Sequence, residues 1–314
     1  MRIVDPAGGP FAATPVPAWP DHAPSRMARD FMLWRHLRVV RARMMRHVHK
    51  AASNVLRTVA PAARQRPTRG AYGVNMWPNW ADRTFAYCHY ATYGPYLADL
   101  IAGIDQPFCF VDIGANQGLF SLVAARNPAC AKIVALEPVP ETHARLAANL
   151  ALAELGPRAE ALNVGLSDEA GEQMITLNAV HSGQATLGEH LAAANSQCHQ
   201  IAVQLITMAE LDAHLPPGLP LFVKIDVEGH EPIIIEELLG SHHARRVIGI
   251  FYEHDNRWTD NATIERALYR AGFAKLLRYG RGRHFDVLAT PSPVPLDRVP
   301  AFDHGVAEAR RHSA

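Results

Sequence analysis

The sequence predicts a doubly wound α/β fold, a mostly parallel sheet with helices on both faces, behind an N-terminal helical extension. Three observations predict it. From about Phe108 onward, short apolar runs alternate with stretches of helical period, the signature of parallel βαβ units. The first run, Phe108-Cys109-Phe110-Val111, is almost wholly apolar, as suits a strand covered on both faces. It passes directly into the turn Asp112-Ile113-Gly114-Ala115-Asn116-Gln117-Gly118, with a helix behind it. The 314 residues suffice for one such domain and an accessory segment.

Taken in order, residues 1 to about 25 are rich in Pro, Ala and Gly without periodicity, and so is the stretch from about Ser292 to the end. Between Ala28 and Val59, the residues Leu33, Leu37, Val40, Met44, Val48, Ala51, Val55 and Val59 recur at helical steps. The other faces carry Arg35, Arg38, Arg41, Arg43, Arg46 and Lys50, with Asp30 the only acid nearby, so residues 28–59 read as a basic amphipathic helix. Its long apolar stripe favours packing on the catalytic domain or in a homo-oligomer; peripheral contact with an anionic membrane and a nucleic-acid arm are the alternatives. Strands are expected near 108–113, 132–136, 159–164, 221–226, 247–252, 274–279 and 284–289. Helices fit near 118–126, 140–153, 207–214, 231–239 and 260–271, with an extra strand pair near 173–177 and 201–206. The division is thus an extension that includes the basic helix, an α/β domain ending near residue 290 and a tail over 291–314.

Bulk properties exclude several classes. A hydrophobic fraction of 48% and a charged fraction of 19% suit a globular chain, and a net charge of +1 gives no large single-sign field, so nucleic acid is not an expected partner. Cys88, Cys109, Cys130 and Cys198 form neither a CxxC pair nor a dense framework, which argues against structural zinc and for a reducing, cytoplasmic setting. Met1 to Pro24 lack a basic segment followed by an apolar run, so no secretory signal is expected, and no apolar run approaches the roughly 20 residues of a membrane span.

In a doubly wound sheet, the ligand sits beyond the carboxyl ends of the strands, where glycine lets the backbone approach it. The strand Lys132 to Leu136 ends in Glu137-Pro138, which puts a carboxylate at that edge 25 residues after Asp112, suited to accept both hydroxyl hydrogens of a ribose. The turn is not G-x-G-x-x-G, and its strand ends in an acid where a pyrophosphate prefers free backbone amides. A cationic sulfonium ligand with an α-amino group tolerates that acid. Asp112 either caps the turn or meets the ligand amino group, Gly114 and Gly118 supply clearance, and Asn116 offers a polar contact.

The segments DIGANQG, ALEPVPETHARLAANL, NVGLSDEAG and VKIDVEGHE, in this order, resemble the FkbM-type S-adenosylmethionine-dependent methyltransferases over about residues 76 to 290. The resemblance implies a seven-stranded class I methyltransferase, Rossmann-like sheet, S-adenosylmethionine as cofactor, and contacts at Asp112, Gly114, Asn116 and Glu137. Neighbours in the same turns, Ala115, Gly118 and Pro138, complete the cofactor set, with Asp226 shared with the acceptor side.

The strand Leu221 to Ile225 ends in Asp226-Val227-Glu228-Gly229-His230-Glu231, and the next strand adds Glu253 and His254 at the same edge. Methyl transfer to a hydroxyl is an in-line displacement that needs a base. Asp226 or His230 can take the proton; alternatively, Asp226, Glu228 and Glu253 hold a divalent cation that acidifies the hydroxyl. Direct acid–base work or positioning by Asp226, Glu228, His230 and Glu253, with no metal, is the favoured reading. Lys224 is expected to be paired internally, His181 to Leu187 to form a lid, and His242, His243 and His284 to be ordinary surface residues. Trp77, Trp80, Tyr87, Tyr90 and Tyr93 either wall the pocket or belong to the core. The leading function is O-methylation of a small-molecule or carbohydrate acceptor. A nicotinamide dehydrogenase lacks its pyrophosphate turn here, and a non-catalytic cofactor-binding scaffold docking through its basic helix is the contrasting class.

Overall fold

The computed structural model describes residues 65–178, 185–186, 198–255, 261–279 and 284–291, together with residues 47, 48, 51, 55 and 58. A short hairpin, β1 (Thr68–Arg69) and β2 (Asn75–Met76), leads to two helices, α1 (Arg83–His89) and α2 (Pro95–Gly103). Asp82 starts α1 by accepting the Thr84 N–H, and Pro95 opens α2, where a missing N–H leaves no bond unmade. Neither helix is expected from the sequence, because seven and nine residues hold too few turns for their period to stand out.

The α/β alternation then runs β3 (Phe108–Ile113), α3 (Leu119–Ala125), β4 (Cys130–Leu136), α4 (Pro140–Leu152) and β5 (Ala159–Leu162). Four further strands follow, β6 (Gly165–Leu166), β7 (Gly171–Asn178), β8 (Ala185–Thr186) and β9 (Cys198–Ile206). Next comes the short helix α5 (Met208–Leu211), fixed by a capping box between Thr207 and Glu210. The chain continues through β10 (Leu221–Ile225), α6 (Glu231–Gly240), β11 (Val247–Asp255), α7 (Asn261–Arg270), β12 (Lys275–Tyr279) and β13 (His284–Thr290).

Seven strands form the main sheet in the order β12-β13-β11-β10-β3-β4-β5, and only β13 runs against the rest. The chain winds outward from β3 through β4 and β5 on one side and through β10 and β11 on the other, which creates a crevice at the carboxyl ends of β3 and β10. The register pairs Ile113 with both Ile225 and Leu136, so β10, β3 and β4 end level and deliver their following turns to one place. Alternate residues of β3 feed two cores. Phe108 and Phe110 pack with Phe85, Leu100, Ile101 and Phe120, whereas Cys109, Val111 and Ile113 pack with Leu211, Ile234, Ile235 and Leu268. Helices α1 to α4 thus cover one face and α5 to α7 the other, the double winding that the sequence predicts.

The second sheet is larger than the expected strand pair. β7 and β9 are that pair, matched from Gly171 with Leu205 to Asn178 with Cys198, and β6 and β8 extend it to the order β6-β9-β7-β8. With two residues each, β6 and β8 are too short to leave an alternating pattern. Of the helix expected over 28–59, the five described residues that fall in it are helical, and Val48 and Val55 are exposed. The remainder of that helix, the 1–25 stretch, most of the 181–187 loop and the tail beyond residue 291 lie outside the described residues. Among the described residues, no helix is long and apolar enough to cross a membrane.

Candidate active site at the carboxyl edge of the sheet

A cavity of about 320 Å³ opens at the crevice, bounded by the turn after β3, the end of β4, the turn after β10, the second sheet and the chain before β3. Gly114, Ala115 and Asn116 form one wall, with Glu137 and Pro138 beside them. The turn is held by main chain: Gly114 and Ala115 both donate to Leu136 O, at 3.0 and 2.9 Å, and Asp226 donates to Ile113 O at 3.2 Å. Gly114 has φ +72°, and a Cβ there would run into the carbonyl oxygen of Asp226, so two loops meet at a point that only glycine fits.

Glu137 is 6% exposed. Its Oε2 accepts the Asn116 N–H at 2.9 Å and its Oε1 the Val139 N–H at 3.1 Å. Burial pushes its carboxyl up to about 7, against the pull of those two N–H groups. Asn163 fixes the same corner by donating to the carbonyls of Glu137 and Pro138, at 2.9 and 3.0 Å.

Two residues expected at the cofactor lie off the cavity wall. Asp112 is fully buried beneath the turn, where Oδ2 accepts from Ser121 Oγ at 2.7 Å and Oδ1 lies 3.4 Å from Lys224 Nζ. It holds the turn rather than facing the cavity. Gly118, at φ +86°, clears Leu146 of α4, whose Cδ1 would lie 2.6 Å from an added Cβ; its clearance serves helix packing. Lys224 is paired internally, as expected: Nζ sits 3.4 Å from both Asp112 Oδ1 and Asp226 Oδ2 and donates to Gly114 O at 2.6 Å. Burial alone would pull this ammonium down, but Asp226 and Asp112 outweigh it and hold its pKa above the usual lysine value.

The acceptor side brings all four expected residues, Asp226, Glu228, His230 and Glu253, onto the cavity wall. Carboxylate oxygens of Asp226, Glu228 and Glu253 lie within 4.8 Å of one another. Burial, reinforced by Glu253 and Asp226, pushes Glu228 up to about 9; burial and Asp226 also raise Glu253. Asp286, paired with Glu253 across β11 and β13, is pushed up to about 8 by burial and the same neighbours. Glu231 closes the 226–230 turn by accepting from Val227 and Gly229 N–H at 3.1 and 2.9 Å. His230 is held below the usual histidine range by burial, with one ring nitrogen 2.9 Å from Ser167 Oγ.

Three further features complete this end. Tyr93 lines the cavity and donates its hydroxyl to Asp226 Oδ2, while Tyr72 donates to the Tyr93 carbonyl. Ile175, Val203 and Leu205 of the second sheet supply an apolar wall. His284, expected to be an ordinary surface residue, also lines the cavity: Nε2 lies 2.9 Å from Glu253 Oε1, and that hydrogen bond leads the causes that push its pKa up to about 9. Only the pairing of Asp255 with His284 places it there, and a strand register has no local sequence signal. The aromatic group divides: Tyr87 and Tyr93 reach the cavity, whereas Trp80 packs edge-on against Phe85 and His89, with ring centroids 4.8 and 5.0 Å away.

His243 corrects a further expectation. It is buried, 2% exposed, at the opposite edge of the sheet, with Nε2 2.8 Å from Asp212 Oδ1, and His242 approaches the same oxygen at 3.3 Å. The three groups have metal-ligand proximity. Arg246, however, donates to His243 Nδ1 at 3.0 Å, which leaves the imidazole proton on Nε2 and closes that nitrogen to a metal.

The FkbM methyltransferase domain profile matches residues 112–275. Methyltransferase sdnD of Sordaria araneosa is 44% identical over 82 residues, 26% of this chain and 31% of that protein. The AMB antimetabolite synthetase AmbE of Pseudomonas aeruginosa is 36% identical over 87 residues, 28% of this chain and 4% of that protein. The chain thus spans less than a third of the length of these curated relatives. A crystal structure of methyltransferase FkbM from Methylobacillus flagellatus KT matches at 14% identity and a TM-score of 0.44, over 66% of this chain and 51% of that chain. With the profile covering just over half of its residues, including the glycine turn and the acidic loop after β10, this chain belongs to the FkbM methyltransferase family.

Proposed function

We propose that the chain is an S-adenosylmethionine-dependent methyltransferase that methylates a hydroxyl of a small acceptor such as a sugar, a glycolipid or a small metabolite. The observation that carries this reading is that Glu137 and the Gly114 turn open onto the same cavity as Asp226, Glu228, His230 and Glu253. The residues fit the cofactor. The close approach at Gly114 leaves a cradle that a side chain would fill, and each Glu137 oxygen accepts one backbone N–H and keeps a lone pair for a ribose hydroxyl. When bound, S-adenosylmethionine supplies an activated methyl group.

On this reading, Ala115, Asn116 and Pro138 flank the nucleoside, while Asp112 and Gly118 act from beneath by fixing the turn and α3. Lys224 and Tyr93 both engage Asp226 Oδ2, which orients its other oxygen for the acceptor hydroxyl. As the acceptor oxygen took the methyl group and S-adenosylhomocysteine left, the hydroxyl proton would pass to Asp226, with His230 the other group able to take it. Glu228 is suited to donate a hydrogen bond rather than to act as base, because its raised pKa keeps it protonated near neutrality. We assign residues 76–290 to the catalytic domain, 1–75 to an extension with a basic amphipathic helix, and 291–314 to a tail. The buried thiols of Cys88, Cys109 and Cys130 are free, which supports a reducing, cytoplasmic setting. The test is release of S-adenosylhomocysteine from labelled cofactor across a panel of hydroxylated acceptors. The expected result is turnover lost in Asp226→Asn; turnover confined to thiols, or unaffected by that change, would overturn the hydroxyl assignment.

A further inference from the structure

His230 stands at the start of α6, yet the helix makes no use of its ring. Its carbonyl accepts the Ile234 N–H at 3.3 Å, whereas its side chain makes no cap bond. Closure of the turn falls to Glu231, which takes the Val227 and Gly229 N–H groups. The imidazole instead reaches the residue just after β6, where Nε2 lies 2.9 Å from Ser167 Oγ. Ser167 is buried and is itself held in place: its N–H donates to Ile206 O at 2.9 Å, which continues the pairing of β6 with β9 past Leu166. Its hydroxyl donates to Asp168 Oδ1, also at 2.9 Å.

A serine hydroxyl has one hydrogen and two lone pairs, and a carboxylate draws that hydrogen more strongly than a neutral imidazole does. With the hydrogen on Asp168, Ser167 meets His230 through a lone pair, so Nε2 must carry the ring proton. A neutral imidazole has only one N–H, and burial, which holds this ring below the usual histidine range, keeps it neutral. Nδ1 is therefore a bare acceptor. It has no hydrogen-bond partner among the described residues and is not sealed in the core, and His230 lines the cavity together with Gly165 and Leu166, the two residues before Ser167. We infer that Ser167 is a positioning residue, which holds His230 in the Nε2–H form and so presents Nδ1 to the cavity as the acceptor for a hydroxyl of the bound methyl acceptor. This rests on the reading of the cavity as the methyl-transfer site and names the atom of His230 able to take a proton there. When Nδ1 gains the hydroxyl proton, the imidazolium keeps its Nε2–H on Ser167, and Ser167 keeps its hydrogen on Asp168, whose negative charge favours the charged ring. No second proton has to move.

The experiment records the imidazole NMR signals of the full chain, labelled with nitrogen-15 histidine, at about pH 8, where a histidine held below its usual range is neutral. Spectra are taken with and without S-adenosylhomocysteine, and His230 is identified by the signals that disappear in His230→Gln. The expected spectrum has the His230 proton on Nε2, in slow exchange with solvent, and a bare Nδ1. Ser167→Ala is expected to speed that exchange roughly fivefold, the factor that one ordinary hydrogen bond is worth, and Ser167→Thr, which keeps the hydroxyl, to restore it. Asp168→Ala changes only an exposed side chain; it frees the Ser167 hydrogen to turn toward Nε2 and is expected to raise the share of the Nδ1–H form. A ring proton on Nδ1 of the unaltered chain overturns the proposal, and so does an exchange rate that Ser167→Ala leaves unchanged. Loss of S-adenosylhomocysteine binding in Ser167→Ala overturns it as well, since His230 would then serve the cofactor rather than the methyl acceptor. Failure of S-adenosylhomocysteine to bind the unaltered chain would instead sink the methyltransferase reading, while the spectra taken without it still decide what Ser167 does to His230.

Discussion

At the end of the cavity proposed for the cofactor, the turn after β3 is held by backbone hydrogen bonds to Leu136 and by a contact with the Asp226 carbonyl that tolerates no side chain, and one carboxylate, Glu137, lines the wall. At the acceptor end, the wall is assembled from side chains on the chain before β3, the loop after β10, β11, the second sheet and β13. The first is a main-chain site, contributed by two consecutive βα units; the second is a side-chain site, contributed from points spread over nearly two hundred residues. A main-chain site tolerates little variation, whereas a side-chain site can be rebuilt one residue at a time, so the acceptor end is where specificity within such a fold is expected to reside.

Four changes sharpen this contrast. The largest effect is expected at the seam between the two ends. Lys224→Met leaves Asp112 and Asp226 without the cation they share, and breaking a buried pair in this way costs about 3–5 kcal/mol, read as a lower midpoint in urea unfolding. Gly114→Ala comes next, expected to lose about 2–4 kcal/mol through its positive φ and the collision with Asp226 and to abolish cofactor binding, whereas a normal titration would show that the turn can open.

Third is Glu137. Its pKa is raised to about 7, so its carboxylate takes up a proton as pH falls through that value and loses acceptor capacity for a ribose. Affinity for S-adenosylhomocysteine should therefore rise by up to about tenfold between pH 6 and pH 8. Glu137→Gln should flatten that dependence; a flat profile in the unaltered chain would remove Glu137 from the ribose. The smallest effect is expected for Tyr93→Phe, which removes one donor to Asp226. It should slow turnover about tenfold with little change in cofactor affinity or unfolding midpoint, and a loss of cofactor affinity instead would place Tyr93 at the other end of the cavity.

The same contrast explains what the sequence disclosed. β3, the glycine turn, β4 and Glu137 are contiguous, and their apolar runs and turn residues state their roles locally, so this half of the site could be read directly. Asp226 to His230 were legible for the same reason, as the loop after β10. The remainder depends on contacts between distant segments. Tyr93 enters the cavity because α1 and α2 fold over the sheet, and their seven and nine residues are too short to announce themselves. His284 enters because β13 returns antiparallel to β11, and Ile175 and Val203 because a second sheet forms beside the crevice. Of the two roles that the sequence left open for Asp112, the structure shows the one beneath the turn, because a fully covered strand buries its side chain between Ser121 and Lys224. His243 was misjudged, since its burial comes from the packing of the 242–246 turn rather than from its neighbours in sequence.

The most direct test of a cavity with a cofactor end and an acceptor end is calorimetric titration of S-adenosylhomocysteine into the full chain and into Glu137→Gln and Glu253→Gln. The account predicts binding to the unaltered chain, a loss of roughly tenfold or more in Glu137→Gln, and near-unaltered binding in Glu253→Gln. Equal loss in both variants would contradict the division of the cavity into two ends, and no binding to the folded, unaltered chain would contradict the assignment of the cavity to this cofactor.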